Sequence, residues 1–434
     1  MVFIVYGTSV SITIIHIKNA FFKPEMKYAH LADLHLGSWR DPRLRELSTQ
    51  AFLMAIDQCI KQEVDFILFA GDIFNTSLPS VDTLKVVTKK LKELHDKNIP
   101  VYTIAGSHDF SPSGKTMIEV LENAGLLKNV CKGQVHPETR QLQLHFTVDA
   151  KTGAKITGLL GRKGQLDQIY YQNLERESLE QEPGYKIFLF HTTIAELRPP
   201  DMEKIEAQPV SFLPQGFKYY AGGHIHHPTQ VELPGYGTLT YPGALFPNNF
   251  AEIEKYHHGG YYLMETNSDH QILTWIPTKV INHEALTIDA HHKTPEQVLQ
   301  MIGEHFEGKD LQQTIVTLRL TGTLEKGRVT DLNYREILEK LYAQGAYIVM
   351  KNTSQLSSAE FEEIKMGEMA PEDIEEALIA EHLQQIPLFS RERELHLTKA
   401  LFQSLNTSKQ EGETITDFQQ RVNDEIQKIL IKGV

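Results

Sequence analysis

Between residues 26 and 109 the apolar positions switch between two periods. Short, nearly unbroken apolar runs end abruptly in polar residues. Each is followed by a stretch with apolar positions every three or four residues. The first run, Tyr28-Ala-His-Leu-Ala32, leads into Asp33-Leu-His-Leu-Gly37. It reads as a buried strand, with Asp33 and His35 on one side of an extended chain and Gly37 turning the chain away. A helical face follows near Arg43–Lys61, with Leu44, Leu47, Phe52, Ile56 and Cys59 inward. The second run, Asp65-Phe-Ile-Leu-Phe-Ala-Gly-Asp72, suits a strand covered on both faces. A helix over Val81–Asp96 then leads to Ile99-Pro-Val-Tyr-Thr-Ile-Ala-Gly-Ser-His-Asp109. The order βαβαβ predicts a parallel sheet, whose sites gather beyond the carboxyl ends of the strands. Asp33, Asp72 and His108 fall there.

A third helix near Lys115–Ala124 precedes shorter strands and a polar segment from Gly161 to Glu180. Two more apolar runs end in histidine: Lys186-Ile-Phe-Leu-Phe-His191, and Phe217-Lys-Tyr-Tyr-Ala-Gly-Gly-His-Ile-His226. In the second, His224 and His226 share a face, Ile225 turns inward, and Gly222–Gly223 permit close backbone approach. Tyr241-Pro-Gly-Ala-Leu reads as a tight turn. Beyond about Pro277 no ligand-like strand ends appear. A strand over Leu311–Gly322, a helix over Asn333–Gln344 and a strand over Tyr347–Lys351 predict a small α+β domain. From 353 onward the chain is charged and helical (Ala370–Gln384, Glu394–Leu405, Asp417–Leu430), with no core of its own. Such helices pack on a partner or are partly disordered. The expected organisation is thus 26–276, 277–352 and a helical tail over 353–434. Residues 1–25 do not fit this plan. Val2–Ile17 is too short to span a bilayer and lacks a signal peptide's basic start and cleavage site. The stretch reads as an extension from an upstream start codon, with an added edge strand as the alternative.

A chain of 434 residues with 41% hydrophobic content can bury a full core and more than one domain. Its formal charge of −13 means that any contact with nucleic acid must come from local basic patches. Two cysteines, Cys59 and Cys131, make no disulfide framework and suit a reducing cytoplasm as small buried hydrophobes.

The strand ends together supply Asp33, His35, Asp72, Ser107, His108, Asp109, His191, His224 and His226. Mixed carboxylate and imidazole ligation suits manganese, iron or zinc, and this set exceeds what one ion takes. Two ions about 3.5–4 Å apart, sharing one carboxylate, is the economical arrangement, and it serves in-line displacement at phosphorus. Asp72 is the natural bridge. His108 remains as general acid or as a stabiliser of transition-state charge, with Asp109 beside it to orient the ring.

These motifs, in this order and each at a strand end, resemble the calcineurin-like metallophosphoesterases. Ala32-Asp-Leu-His-Leu-Gly37, Gly71-Asp-Ile-Phe74, Gly158-Leu-Leu-Gly-Arg-Lys-Gly164 and Tyr241-Pro-Gly-Ala244 narrow the resemblance to the archaeal-type Mre-eleven/SbcD nuclease family of double-strand-break repair. The likeness covers about Met26–Lys351. It implies an α/β metallophosphoesterase sandwich, a smaller capping domain and a helical tail. It implies a first metal on Asp33, His35, Asp72 and His226, and a second on Asp72, His191, His224 and residue 107. Most members have asparagine there. Ser107 offers a shorter neutral oxygen, which weakens the hold on the second ion. The resemblance further implies two divalent ions, manganese by preference, 3′-to-5′ exonuclease and single-strand endonuclease activity, and DNA ends and single strands as substrate. It also implies a homodimer, a Rad-fifty-type ABC ATPase bound through the C-terminal helices, and a place at the nucleoid in the cytoplasm, with no membrane.

The remaining candidates carry blander expectations. His30 belongs to the core or behind the ligands, His227 to solvent, and His257 and His258 to a loop without a role. Lys85, Lys89, Lys90 and Lys92 read as a solvated face. Leu84, Val87 and Leu91 read as core, with dimerisation as the functional alternative. Arg162 and Lys163 either meet a DNA phosphate or sit in a solvated loop. Two rival functions remain open: another phosphoesterase (a phosphatase or cyclic phosphodiesterase), and a DNA-binding scaffold with a weakened second site. Against a phosphoprotein phosphatase, Ile73-Phe-Asn-Thr76 and Ser107-His-Asp109 replace the usual Asp-Arg-Gly and Asn-His-Glu.

Overall fold

The computed structural model describes residues 25–111, 114–162, 167–199, 202, 205–267, 271–359, 379, 383, 389–410, 413 and 415–432. The expected extension up to Pro24 lies outside them. So do Lys163, Gly164 and all of the helix expected over Ala370–Gln384 except Ile379 and Leu383. Among the described residues no helix is long and apolar enough to cross a membrane.

From Met26 the chain runs through β1 (Met26–Leu31), α1 (Pro42–Lys61), β2 (Phe66–Ala70), α2 (Val81–Asp96), β3 (Val101–Ile104), α3 (Met117–Asn123) and β4 (Lys128–Asn129). The helices start where the sequence offers caps. Asp41 accepts from the Arg43 N–H with Pro42 opening α1, and Ser80 accepts from the Thr83 N–H at the head of α2. A small hairpin, β5 (Gly133–Val135) and β6 (Leu142–Leu144), comes next. It is followed by β7 (Thr147–Val148), β8 (Lys155–Gly158), the one-turn helices α4 (Gln168–Gln172) and α5 (Glu177–Gln181), β9 (Lys186–His191), β10 (Tyr219–Gly223), β11 (Thr229–Glu232) and β12 (Thr238–Tyr241). After α6 (Phe250–Tyr256) the chain forms β13 (Gly259–Thr266) and β14 (Gln271–Thr278).

Two six-stranded sheets result. One has the order β14-β13-β1-β2-β3-β4, with β1 to β4 parallel and β13 antiparallel to β1. The other runs β11-β12-β10-β9-β8-β7, parallel from β12 to β8. Residues alternate along each strand between two cores. Tyr28, Phe66, Leu68, Tyr102 and Ile104 from the first sheet meet Ile156, Ile187, Leu189, Tyr219 and Ala221 from the second. Ala29, Leu31, Ile67 and Phe69 face the other way, onto Phe52, Ile56, Val87 and Leu91 of α1 and α2. Leu91 and Val87 are therefore core, and Lys90 of the same helix bonds Asp57 and Glu93. Burial on both faces is why these strands are written as unbroken apolar runs.

One polar cluster crosses the inner core. His30 of β1 meets the Tyr219 hydroxyl at 2.9 Å and Thr240 Oγ1 of β12 at 3.2 Å, and Thr240 donates to Tyr219 Oη at 2.8 Å. Burial pushes the His30 ring down to about 3, so it stays neutral. It ties the strand carrying Asp33 to the strands behind His224.

The chain divides into two compact units, one running up to Asn248 and resuming over His258–Val280, the other comprising Asn249–His257 and Ile281 onward. The second unit holds β15 (Asn282–Asp289), α7 (Pro295–Phe306), β16 (Thr314–Leu324), α8 (Arg335–Ala343) and β17 (Ala346–Ser358). Its three strands are parallel, in the order β15-β16-β17. The domain expected as α+β is therefore a βαβαβ unit. Thr294 and Gln297 form a capping box at α7, and Val298, Ile302 and Phe306 recur every fourth residue to pack against Val316, Leu318 and Leu320. The helices Arg391–Leu405 and Ile415–Lys432 pack against each other in this unit, Ser404 donating to Glu425 at 3.2 Å.

Tyr219→Phe deletes one buried partner of both His30 and Thr240. We expect a loss of about 1–3 kcal/mol, read from the urea unfolding midpoint of the metal-free protein.

Candidate metal centre

Five loops at the carboxyl ends of β1, β2, β3, β9 and β10 bring the expected side chains together. The backbone at the first two loops is not a continuation of the strands. Asp33 (φ 51), His35 (φ 40) and Asp72 (φ 51) all adopt the left-handed conformation, as does His224 (φ 89). The expected geometry, in which Asp33 and His35 point alike because the chain is extended, is thus replaced by two left-handed turns that reach the same convergence. Cross-loop main-chain bonds hold them there: Asp33 N–H to the Gly71 carbonyl (3.2 Å), His35 N–H to Asp72 (2.9 Å) and Leu36 N–H to Ile73 (3.1 Å). Close approach at the centre requires glycine. At Gly71 (φ 90) a Cβ would collide with the His191 ring, and at Gly223 with the Ala70 carbonyl.

Three overlapping groups emerge, Asp33/His35/His226, His35/Asp72/His108 and Asp33/Asp72/His191, each with its ligand atoms within 4.8 Å of one another. Nε2 of His35 lies 3.2 Å from Nε2 of His226, 3.7 Å from Asp72 Oδ2 and 4.0 Å from Asp33 Oδ1. Nε2 of His191 lies 3.2 Å from Asp72 Oδ2. Metal–ligand bonds of about 2.0–2.2 Å put neighbouring donors roughly 3–3.5 Å apart, so these spacings suit ion binding. Asp72 belongs to two of the three groups. His224 stands next to them: its main-chain N–H donates to both Asp33 oxygens at 3.0 Å, and its ring lies edge-on to His191 with centroids 5.3 Å apart. Ser107 directs its hydroxyl at Asp72 Oδ2, at 3.4 Å.

Protonation fits the same use. Burial pushes His35 well down, keeping its ring neutral with a lone pair for a cation, while His224, more open to solvent, is lowered by partial loss of hydration and by His191. Burial raises Asp33. For Asp72 burial acts upward too, but the adjacent His191 and His35 outweigh it and hold the carboxyl well below its usual range. His191 answers in kind. Burial would lower it, yet Asp72 lifts it to about 10, while its Nδ1–H donates to the Ala70 carbonyl at 2.8 Å. An ion bound at Nε2 of His191 would compete with the proton that Asp72 favours there.

His108 lies half-buried, its ring edge-on to His35 at 4.9 Å, and its main-chain N–H donates to Asp72 Oδ1 at 2.7 Å. Asp109 does not orient that ring. Its two oxygens accept the N–H groups of Phe74 (3.2 Å) and Gly106 (2.9 Å), and burial together with Asp72 pushes it up to about 7. The His108 ring is instead held at Nδ1 by the Asn75 carbonyl, at 2.9 Å. A main-chain acceptor leaves no trace in residue identity, so sequence reading missed it. The cleft beside the centre, about 340 Å³, is lined by Ser107, His108, His191 and His224, and by Arg162, Asp167, Thr192, Thr193, Ile205 and Glu206. Thr192 and Thr193 had one available signal, their position directly after His191. The other histidines stand apart: His257 Nδ1 lies 2.7 Å from His283 Nδ1, and His258 stacks on Trp275.

Residues 26–228 match the model of the calcineurin-like phosphoesterase family. The chain thus carries a calcineurin-like metallophosphoesterase domain, of a family that binds two divalent metals. It is similar to the DNA double-strand break repair protein Mre11 of Archaeoglobus fulgidus, 28% identical over 53% of this chain and 52% of the relative. The proteins of that name from Methanococcus maripaludis (29% identical, 57% of this chain, 65% of the relative) and Saccharolobus solfataricus (27%, 71% and 78%) are also similar. The match spans about half the length of the Archaeoglobus relative.

Titrating manganese into the metal-free protein near neutral pH should release about one proton from His191, with affinity rising by up to about tenfold per pH unit below its pKa of about 10. Calorimetry in buffers of different ionisation heat measures this, and no release would mean that Nε2 is already bare. Ser107→Asn should tighten the weaker of two manganese sites on the order of tenfold, read from the same isotherms.

Proposed function

We propose that the chain is a manganese-dependent DNA nuclease of double-strand-break repair, hydrolysing phosphodiesters as a 3′-to-5′ exonuclease and single-strand endonuclease. It works as a homodimer in the cytoplasm, at the nucleoid, with a Rad-fifty-type ATPase engaged by the C-terminal helices. The observation that carries the reading is the convergence of the His35 and His226 Nε2 atoms, 3.2 Å apart, on Asp33 and Asp72 beside His108. The similarity to archaeal DNA double-strand break repair proteins supports repair of DNA over other phosphoester substrates.

Two divalent ions would be held by Asp33, His35, Asp72, His191, His224 and His226, with Ser107 beside them, and would supply Lewis acidity toward water and phosphoryl oxygens. The chain's own residues do the rest. His108, its Nδ1–H fixed on the Asn75 carbonyl, presents Nε2 to the reacting phosphate. Protonated, that nitrogen gives its proton to the leaving oxygen as the P–O bond breaks. The main-chain bond to Asp72 fixes the His108 backbone beside that carboxylate. Asp109 positions the loop, through Gly106 and Phe74, and does not reach the substrate.

His108→Ala should lower kcat for manganese-dependent cleavage of a labelled linear duplex by about 10²–10⁴ with metal content unchanged. If the parent leaves duplex and single strands intact even with an ATPase partner added, the nuclease reading fails. Turnover of a phosphomonoester would then point to a phosphatase.

A further inference from the structure

The chain immediately after β8 is clamped against the metal centre. Gly161 donates its N–H to the Ala105 carbonyl at 2.9 Å, and a Cβ on it would strike His191. Arg162 therefore leaves the backbone between the loop of Ser107 and His108 and the end of β9. Its guanidinium is held by two neutral groups. Cζ sits 5.2 Å from the Phe110 ring centroid, and Nη1 donates to the Tyr170 hydroxyl at 3.4 Å. A guanidinium has five N–H donors, so most of its donor capacity remains. Asp167 shares the cleft, but its carboxyl accepts from the Arg162 main-chain N–H and from the Thr192 side chain. The two carboxylates of the ion site, Asp33 and Asp72, face His35, His191 and His226. Neither is a lining residue of the cleft into which Arg162 points.

A cation fixed by an aromatic face and a hydroxyl, without a carboxylate mate among the described residues, takes its counter-charge from the ligand. The planar fork of arginine matches a phosphate diester. The cleft extends past the candidate ion ligands along Thr192, Thr193, Ile205 and Glu206, and the Thr193 hydroxyl, buried in its wall, has no hydrogen-bond partner among the described residues. The scissile phosphate belongs among the donors of Asp33, Asp72 and the histidines. Arg162 stands beside that point.

We propose that Arg162 is a specificity-determining residue that grips the phosphate next to the scissile one, so that the site favours a polynucleotide strand over an isolated phosphodiester. The inference rests on the phosphodiesterase reading above. It predicts a residue whose loss is felt through substrate length. The same cleft would treat a diester without a neighbouring phosphate as an incomplete ligand.

The test compares the parent, Arg162→Gln and Arg162→Lys in the full chain with manganese. The substrates are a labelled oligodeoxynucleotide and bis(p-nitrophenyl) phosphate, which has one phosphate only. Anisotropy of the same oligonucleotide with calcium in place of manganese reads binding without cleavage. In Arg162→Gln we expect KM for the oligonucleotide to rise on the order of tenfold with a much smaller change in kcat. The loss on the oligonucleotide should exceed that on the small diester by a similar factor, binding should weaken in parallel, and Arg162→Lys should recover part of it. Equal losses on both substrates, or unchanged oligonucleotide binding, overturn the proposal. A parent that hydrolyses the small diester but not the oligonucleotide fails the nuclease reading instead, and the binding comparison still decides the role of Arg162. A melting curve for each variant separates these outcomes from misfolding.

Discussion

Two carboxylates, Asp33 and Asp72, lie buried where two sheets end, and the arrangement around them follows from the cost of leaving charge there. An isolated ionised carboxyl in such a place is strongly disfavoured. Each is answered from several directions: Asp33 by the main-chain N–H of His224, Asp72 by that of His108 and by the His191 ring. Delivering these groups requires loops from both sheets to meet, which is what the parallel strands β1–β3 and β9–β10 allow. It also requires left-handed backbone at four non-glycine residues, Asp33, His35, Asp72 and His224, a conformation that costs about 1–3 kcal/mol at each position. The bonds between the loops of β1 and β2 offset that strain, and the His30–Tyr219–Thr240 cluster fixes the two sheets beneath it.

The candidate ligands stood out in the sequence for a reason that also hid their geometry. Strands buried on both faces appear as apolar runs, so a polar residue at the end of one stands out, and Asp33, Asp72, His191 and His224 all announce themselves this way. What the run does not encode is how the chain leaves the strand. Period-two alternation stops at Leu31, and the shared direction of Asp33 and His35 comes from two left-handed residues bonded to a loop about forty positions later in the chain. The same limit explains Asp109. Adjacency in sequence suggested a partner for His108, but the two backbone N–H groups that occupy its carboxylate come from Gly106 and Phe74.

Pairing between distant parts of the chain was the least visible. β13 lies antiparallel to β1 across more than two hundred residues, with Met26 opposite Thr266, and nothing local in Gly259–Thr266 names that neighbour. The second unit was misread for a related reason. Asn282–Asp289 carries too few apolar residues to stand out as a strand, and without it the alternation of β15, α7, β16, α8 and β17 does not emerge. Asp41, Ser80 and Thr294, each at the head of a helix, are local capping signals that the sequence does carry.

The nine residues Asn249–His257 group with the second unit, although the chain then returns to the first for β13 and β14. The backbone consequently passes between the units three times, near 248, 257 and 280. A protease that nicks one of these passages leaves the halves joined by the others, and no single stop codon yields the first unit complete and free of the second. Whatever genetic event brought the two units together, the later piece is stitched into the earlier one rather than appended to it.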